Sequence, residues 1–122
     1  MRRDRDFLVD ILERISLTEE FVQSEKNPFF TSRLVREAVT RNLEVIGAAS
    51  RALSDDFKQQ YPEIPWRQIA AFRNFAIHTY WAIKADRLWE IIEKDLPSLK
   101  AQVTALLAQI DLDAPQAGQE DQ

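Results

Sequence analysis

Residues 85–110 read ADRLWEIIEKDLPSLKAQVTALLAQI. Leu88, Ile92, Leu96, Leu99, Val103, Leu106 and Ile110 fall at steps of four, four, three, four, three and four. That spacing places seven apolar side chains on one face of a helix, and no strand pattern reproduces it. Pro97 stands inside the stripe. A proline lacks the N–H that a helix interior requires, and its ring crowds the carbonyl four residues back. The expectation is therefore a break or kink at Pro97, with Asp95 placed to cap a second piece and the whole helix starting near Ala85 or Asp86.

The same period runs outward from this segment. Phe7, Leu8, Ile11, Leu12 and Ile15 predict a first amphipathic helix from about Asp4 to Gln23. Ser24-Glu25-Lys26-Asn27-Pro28 ends it, since Asn-Pro favours a turn. Thr31 or Ser32 can cap a second helix over Arg33 to Leu53, with Val35, Ala38, Val39, Val45, Ile46, Ala49 and Leu53 on one side. Gly47 lies inside that helix, which marks either a close helix contact or simple tolerance. Tyr61-Pro62-Glu63-Ile64-Pro65 reads as a connector, and Pro65 suits the first turn of a third helix running through Trp66, Ile69, Ala70 and Phe75 toward His78. β-hairpin signals are absent. The fold class is all-α, an antiparallel bundle of four helices, or five if Pro97 splits the last. The domain is expected over residues 1–110. Residues 111–122, polar and containing Pro115 and Gly118, are expected to form a disordered tail.

The 122 residues suffice for one domain and one core. No apolar run approaches the roughly 18 residues of a membrane span, and nothing resembles a secretory leader. With no cysteine there is neither a disulfide nor a thiolate nucleophile, and the single histidine, His78, excludes a His-cluster metal site within one chain. A cytoplasmic location is compatible with this. The net charge of −4 is unpromising for a nucleic-acid enzyme. However, the tail holds Asp111, Asp113, Glu120 and Asp121 and no base, so the rest of the chain balances 16 basic against 16 acidic residues. From Pro65 to Trp89, Arg67, Arg73, Lys84 and Arg87 face only Asp86. Such local positive charge attracts phosphate even on an acidic protein, although ordinary surface scatter would look the same.

Arg73-Asn74-Phe75-Ala76-Ile77-His78-Thr79-Tyr80 places a guanidinium, an imidazole and a phenol within eight residues. Metal-independent RNA cleavage needs a base for the ribose 2′-hydroxyl, an acid for the departing 5′-oxygen and a cation for the phosphorane. Histidine suits proton transfer near neutral pH, and arginine matches phosphate with a fork of donors. On an ideal helix positions five apart lie about 140° apart, so Arg73 and His78 do not share a face. They converge if the helix ends near His78, or if a second subunit completes the site. A symmetric dimer would also supply two His78 side chains, one for each proton transfer, although Tyr80, Arg73 or water could fill the second role. The bare spacing occurs by chance. Read alone, the histidine fits a surface or capping residue, the arginine a surface ion pair and the tyrosine a packing aromatic.

Five segments, in order, resemble the HepT-like branch of the HEPN superfamily. They are Met1-Arg2-Arg3-Asp4 with Leu8-Val9-Asp10-Ile11-Leu12; Ala38-Val39-Thr40-Arg41-Asn42-Leu43-Glu44-Val45-Ile46-Gly47-Ala48-Ala49; Tyr61 through Trp66; Arg73-Asn74 with His78-Thr79-Tyr80, matching an R-x-x-x-x-H-x-Y motif; and Asp86 with Leu88-Trp89 and Asp95 through Leu99. The resemblance covers about residues 1–110. It implies a metal-independent endoribonuclease without cofactor, acting on tRNA or mRNA as the toxin of a type VII toxin–antitoxin pair. It further implies a homodimer with a shared cleft and an MntA-like nucleotidyltransferase antitoxin that AMPylates the motif tyrosine. Carried onto this sequence, Arg73 and His78 are catalytic and Tyr80 is the modified residue. Asn74 supports the cleft, and Arg41 is a weaker candidate for RNA contact, being spaced to pair with Glu37 or Glu44. Thr79 and Trp81 are bulkier than the family pattern and would narrow access to Tyr80. The alternative is a non-catalytic helical partner that binds nucleotide or scaffolds a nucleotidyltransferase. A structural dimerisation bundle, with the closing stripe as its interface, is a third reading.

Overall fold

The computed structural model describes residues 3–22, 31–77 and 81–113. Among them the regular structure is entirely helical: α1 (Asp4–Val22), α2 (Arg33–Ala52), α3 (Asp55–Gln60), α4 (Trp66–Ala70), α5 (Phe72–Ile77), α6 (Trp81–Glu90) and α7 (Leu96–Asp113). One π-helical turn, Ile91–Asp95, joins the last two. The all-α bundle expected from the sequence is the architecture observed.

Helix α1 packs on α2 and α7, and α2 packs in turn on α4 and α5. Leu8, Ile11, Ile15 and Val22 of α1 meet Val39, Leu43 and Ile46 of α2 in a core where these side chains are almost wholly removed from solvent. Burying each is worth roughly 1.5–3 kcal/mol. The closing stripe joins the same core: Leu88, Ile92, Leu96, Leu99, Val103 and Leu106 are buried, and Ile110 packs against them. It is therefore interior and not open as a dimer interface, which removes the reading that needed it exposed.

Pro97 does not split the closing helix. The turn before it widens, so that the Leu96 N–H reaches the Ile91 carbonyl, five residues back. A wide turn displaces the carbonyls that the proline ring would otherwise strike, and the helix continues. The expected start near Ala85 is likewise corrected, because α6 begins at Trp81. Asp95 is not a cap, since it sits within the π turn with Oδ2 buried and unpartnered.

Two serines define helix starts. Ser32 Oγ accepts from the Val35 N–H at 3.2 Å, as a β-region N-cap should. Ser54 does the same for Phe57 and opens α3, a helix too short to show a sequence period. Asp4 then binds Ser54 twice, accepting from its N–H at 2.8 Å and its hydroxyl at 2.7 Å, which ties the start of α1 to the α2–α3 turn. The third helix is two pieces, α4 and α5, hinged at Ala71.

At the opposite end of α7, Arg5 grips Asp111 through two bonds of 2.8 and 3.2 Å. The hydrogen bond from Arg5, with its charge, holds the Asp111 carboxyl below its ordinary value and raises the arginine in return. Both groups are exposed, so the contribution is small and screened by salt. A depressed carboxylate stabilises the fold above its unfolded pKa, and that stability is lost as pH falls through the folded one. Asp111→Asn is accordingly expected to lower the thermal midpoint slightly at neutral pH and low salt. The gap should close in acid, below the ordinary carboxylate range, and in roughly 1 M salt. A gap of constant size across both titrations would contradict this origin.

Candidate active site

The motif arginine is positioned by backbone contact. A Cβ built on Gly47 would lie 2.8 Å from the Arg73 amide nitrogen, 3.0 Å from the Ala70 carbonyl oxygen and 3.0 Å from Arg73 Cβ. Ordinary side-chain carbons do not approach backbone this closely. Of the two readings open for Gly47, the close helix contact is the one observed. Helix α2 thus runs directly against the α4–α5 hinge. There the Ala71 N–H bonds to the Arg67 carbonyl at 3.1 Å, and the Asn74 N–H to the Ala71 carbonyl at 2.9 Å. Ser50 adds a second tie, its hydroxyl reaching the Trp66 carbonyl at 3.4 Å.

Arg73 is half-buried on this seam, and among the described residues its guanidinium has no hydrogen bond or ion pair. Asn74 follows it on α5 and is exposed, so the structure brings these two together. Helix α5 ends at Ile77, directly before His78. His78 and Tyr80 lie outside the described residues. Arg41 does not join Arg73. It lies six residues before Gly47, about 120° round α2 and ~9 Å along it. Its guanidinium is paired with Glu44, while Glu37 is taken by Arg33 at 3.2 Å. Among the described residues no three His, Cys, Asp or Glu side chains gather as a metal-binding group, and no helix is long and apolar enough to cross a membrane.

The arrangement is a helical bundle with a guanidinium clamped through its backbone and without a counter-ion among the described residues, at the head of an R-x-x-x-x-H sequence. The chain belongs to the HepT-like ribonuclease family, whose model matches residues 11–106. A probable ribonuclease HepT of Thermococcus cleftensis is 41% identical over 106 residues, which cover 86% of this chain and 96% of that protein. A candidate RNase of Methanocaldococcus jannaschii is 39% identical over 104 residues, 84% of this chain and 95% of the relative. A third relative, named as a γ-glutamylcyclotransferase and candidate RNase from the same organism, is 35% identical over 113 residues, only 51% of its own length. No solved structure matches the chain. Family membership makes the chain an endoribonuclease in class, as the resemblance of the five segments implied.

The Gly47 contact predicts a specific cost. Gly47→Ala gains up to ~1 kcal/mol of helix propensity but drives a methyl group into the Arg73 backbone, an overpacking worth roughly 1–3 kcal/mol. A net loss of stability is expected, and with it a loss of RNA cleavage greater than that of Val103→Ala, a core truncation remote from the seam. Unchanged melting and unchanged cleavage in Gly47→Ala would show that the contact does not position the site.

Proposed function

We propose that this chain is the RNA-cleaving toxin of a two-gene toxin–antitoxin pair, acting in the cytoplasm as a homodimer on tRNA or mRNA. The observation that carries the reading is Arg73: its backbone is pinned against Gly47, and its guanidinium is left without a carboxylate partner among the described residues. Arg5, Arg33, Arg41 and Arg87 each stand against a carboxylate; the motif arginine is held ready for a ligand anion instead.

In the proposed reaction the ribose 2′-oxygen attacks the adjacent phosphorus and loses its proton to a base. The bond to the 5′-oxygen of the next nucleotide breaks, and that oxygen takes a proton from an acid. The products are a 2′,3′-cyclic phosphate and a free 5′-hydroxyl, so no water is consumed. His78 serves one proton transfer. In a two-fold dimer the second copy's histidine would serve the other. Arg73 stabilises the charge that builds on the non-bridging oxygens, where a forked donor matches two of them. Asn74 supports the cleft beside it. Tyr80 is the residue proposed to accept AMP from an MntA-like nucleotidyltransferase, which would place bulk and negative charge where the RNA phosphate binds.

The test uses purified chain and end-labelled RNA. His78→Ala and Arg73→Ala are each expected to reduce cleavage by about 10²–10³-fold with the fold intact. Co-expression with an active transferase is expected to add AMP to Tyr80 and silence the enzyme. Full cleavage by His78→Ala would remove the basis of the mechanism. A chain that binds a nucleotidyltransferase but cleaves no RNA would support the scaffolding alternative instead.

A further inference from the structure

We infer that the seam between α2 and α4–α5 carries an RNA-backbone track, in which Arg51 and Arg67 hold phosphates flanking the one at Arg73. The inference rests on the ribonuclease reading above and adds the side of the site along which the strand runs.

Charge pairing is the first observation. Arg5, Arg33, Arg41, Lys58, Arg87 and Lys100 each stand beside a carboxylate. Arg51, Arg67 and Arg73 have no hydrogen bond or ion pair among the described residues. Among the described residues Arg3 and Lys94 also lack an ion pair, but Arg51, Arg67 and Arg73 fall within one stretch of structure, which is not the pattern that neutralisation of a surface would produce.

Their placement is the second. Arg51 is four residues beyond Gly47, about 40° round α2 and ~6 Å along it. Arg67 is three residues before Ala70, about 60° round α4 and ~4.5 Å along. Gly47 faces the Ala70 carbonyl, and the chain neighbours Ser50 and Trp66 are hydrogen-bonded, so both arginines sit where the two helices are tied together. Leu43, Ile46 and Ser50 on α2 and Trp66 and Ile69 on α4 are buried, Ser50 and Trp66 meeting within the seam itself. Arg51 and Arg67 are exposed and therefore line the outer lip of the seam, with Asn74 further along it. Of the acids close in sequence, Glu44 is engaged with Arg41 and Asp55 with Lys58 at 3.9 Å, while Glu63, four residues before Arg67, forms no ion pair with it among the described residues.

Arg67 and Arg73 lie six residues apart across the Ala71 hinge; six residues of helical rise are ~9 Å, roughly two to three nucleotides at the rise of a stacked strand. The geometry thus fits a single strand that continues past the scissile phosphate along α4. Guanidiniums that contact phosphate read no base edge, so this track contributes affinity without sequence preference.

The experiment measures binding of a 2′-O-methyl RNA strand of about twelve nucleotides, which cannot be cleaved because its attacking hydroxyl is blocked, by fluorescence anisotropy across a salt series. Arg51→Ala and Arg67→Ala are each expected to weaken binding roughly three- to tenfold and to flatten the log–log salt slope by about 0.7. Arg51→Lys and Arg67→Lys should restore most of the slope. Lys94→Ala removes an exposed charge from the π turn, outside α2, α4 and α5, and should leave the slope unchanged. An unaltered slope in both alanine variants, or an equal drop in Lys94→Ala, would overturn the track. Binding that persists with an unaltered slope leaves the ribonuclease reading standing. No RNA binding and no RNA cleavage by the unmodified chain would sink both.

Discussion

A methyl group on Gly47 would stand 2.8 Å from the Arg73 amide, and the packing of α2 on the α4–α5 hinge depends on that space being empty. Close approach lets α2 lie against the α4–α5 hinge at backbone distance, with no side chain between them to act as a spacer. Backbone contact also fixes Arg73 more firmly than side-chain packing would. A peptide plane has no rotamers to relax into, so a displaced α2 would displace the arginine with it. The adjoining face of α2, with Leu43 and Ile46 about 40° and 100° round from Gly47, is buried in the core it shares with Leu8, Ile11 and Ile15 of α1. The apolar core and the contact with the motif arginine thus occupy adjoining faces of one helix, and the arginine's position is inherited from ordinary packing.

The closing helix shows how a sequence irregularity is absorbed instead of obeyed. Pro97 would break an ideal α-helix, yet the buried stripe on both sides of it needs one continuous rod. Losing the register of Leu88, Leu96, Leu99 and Val103 would expose several large side chains, at roughly 1.5–3 kcal/mol apiece. Widening one turn sacrifices a few hydrogen bonds of normal geometry and leaves the Asp95 Oδ2 buried without a partner, a cost of order 1–3 kcal/mol. Burial of the stripe outweighs that cost, and the helix stays whole.

Much of this was legible in the residues. The three- and four-step spacing of α1, α2 and the closing stripe specified both the helices and the faces they bury, because tertiary packing uses the same apolar period that the sequence displays. Ser32 was legible as a cap from its chemistry. What could not be read were features decided by distance in space. The six-residue α3 has no room for a period, and its cap, Ser54, is stabilised by Asp4, fifty residues away. The hinge at Ala71 has no glycine or proline to announce it. The candidate site was visible as a motif, with Arg73 and Asn74 adjacent by sequence alone. The arginines beside it were not, since Arg51 and Arg67 approach one another only through the contacts of Gly47 and Ser50.

Net charge also misleads when it is read from composition. Many of the basic side chains are spent on carboxylates within a turn or across a helix pair, among them Arg33–Glu37, Arg87–Glu90 and Lys100–Glu19. Exposed pairs of this kind add little stability, ~0–1 kcal/mol each, but they cancel field. A surface so neutralised presents to a polyanion mainly the charges left over. The potential that an RNA strand meets is then set by where pairing fails, and an acidic protein can guide a strand to one seam as long as its acids are occupied elsewhere. On this argument the paired surface favours the seam, because a cation already held by a carboxylate offers a phosphate little.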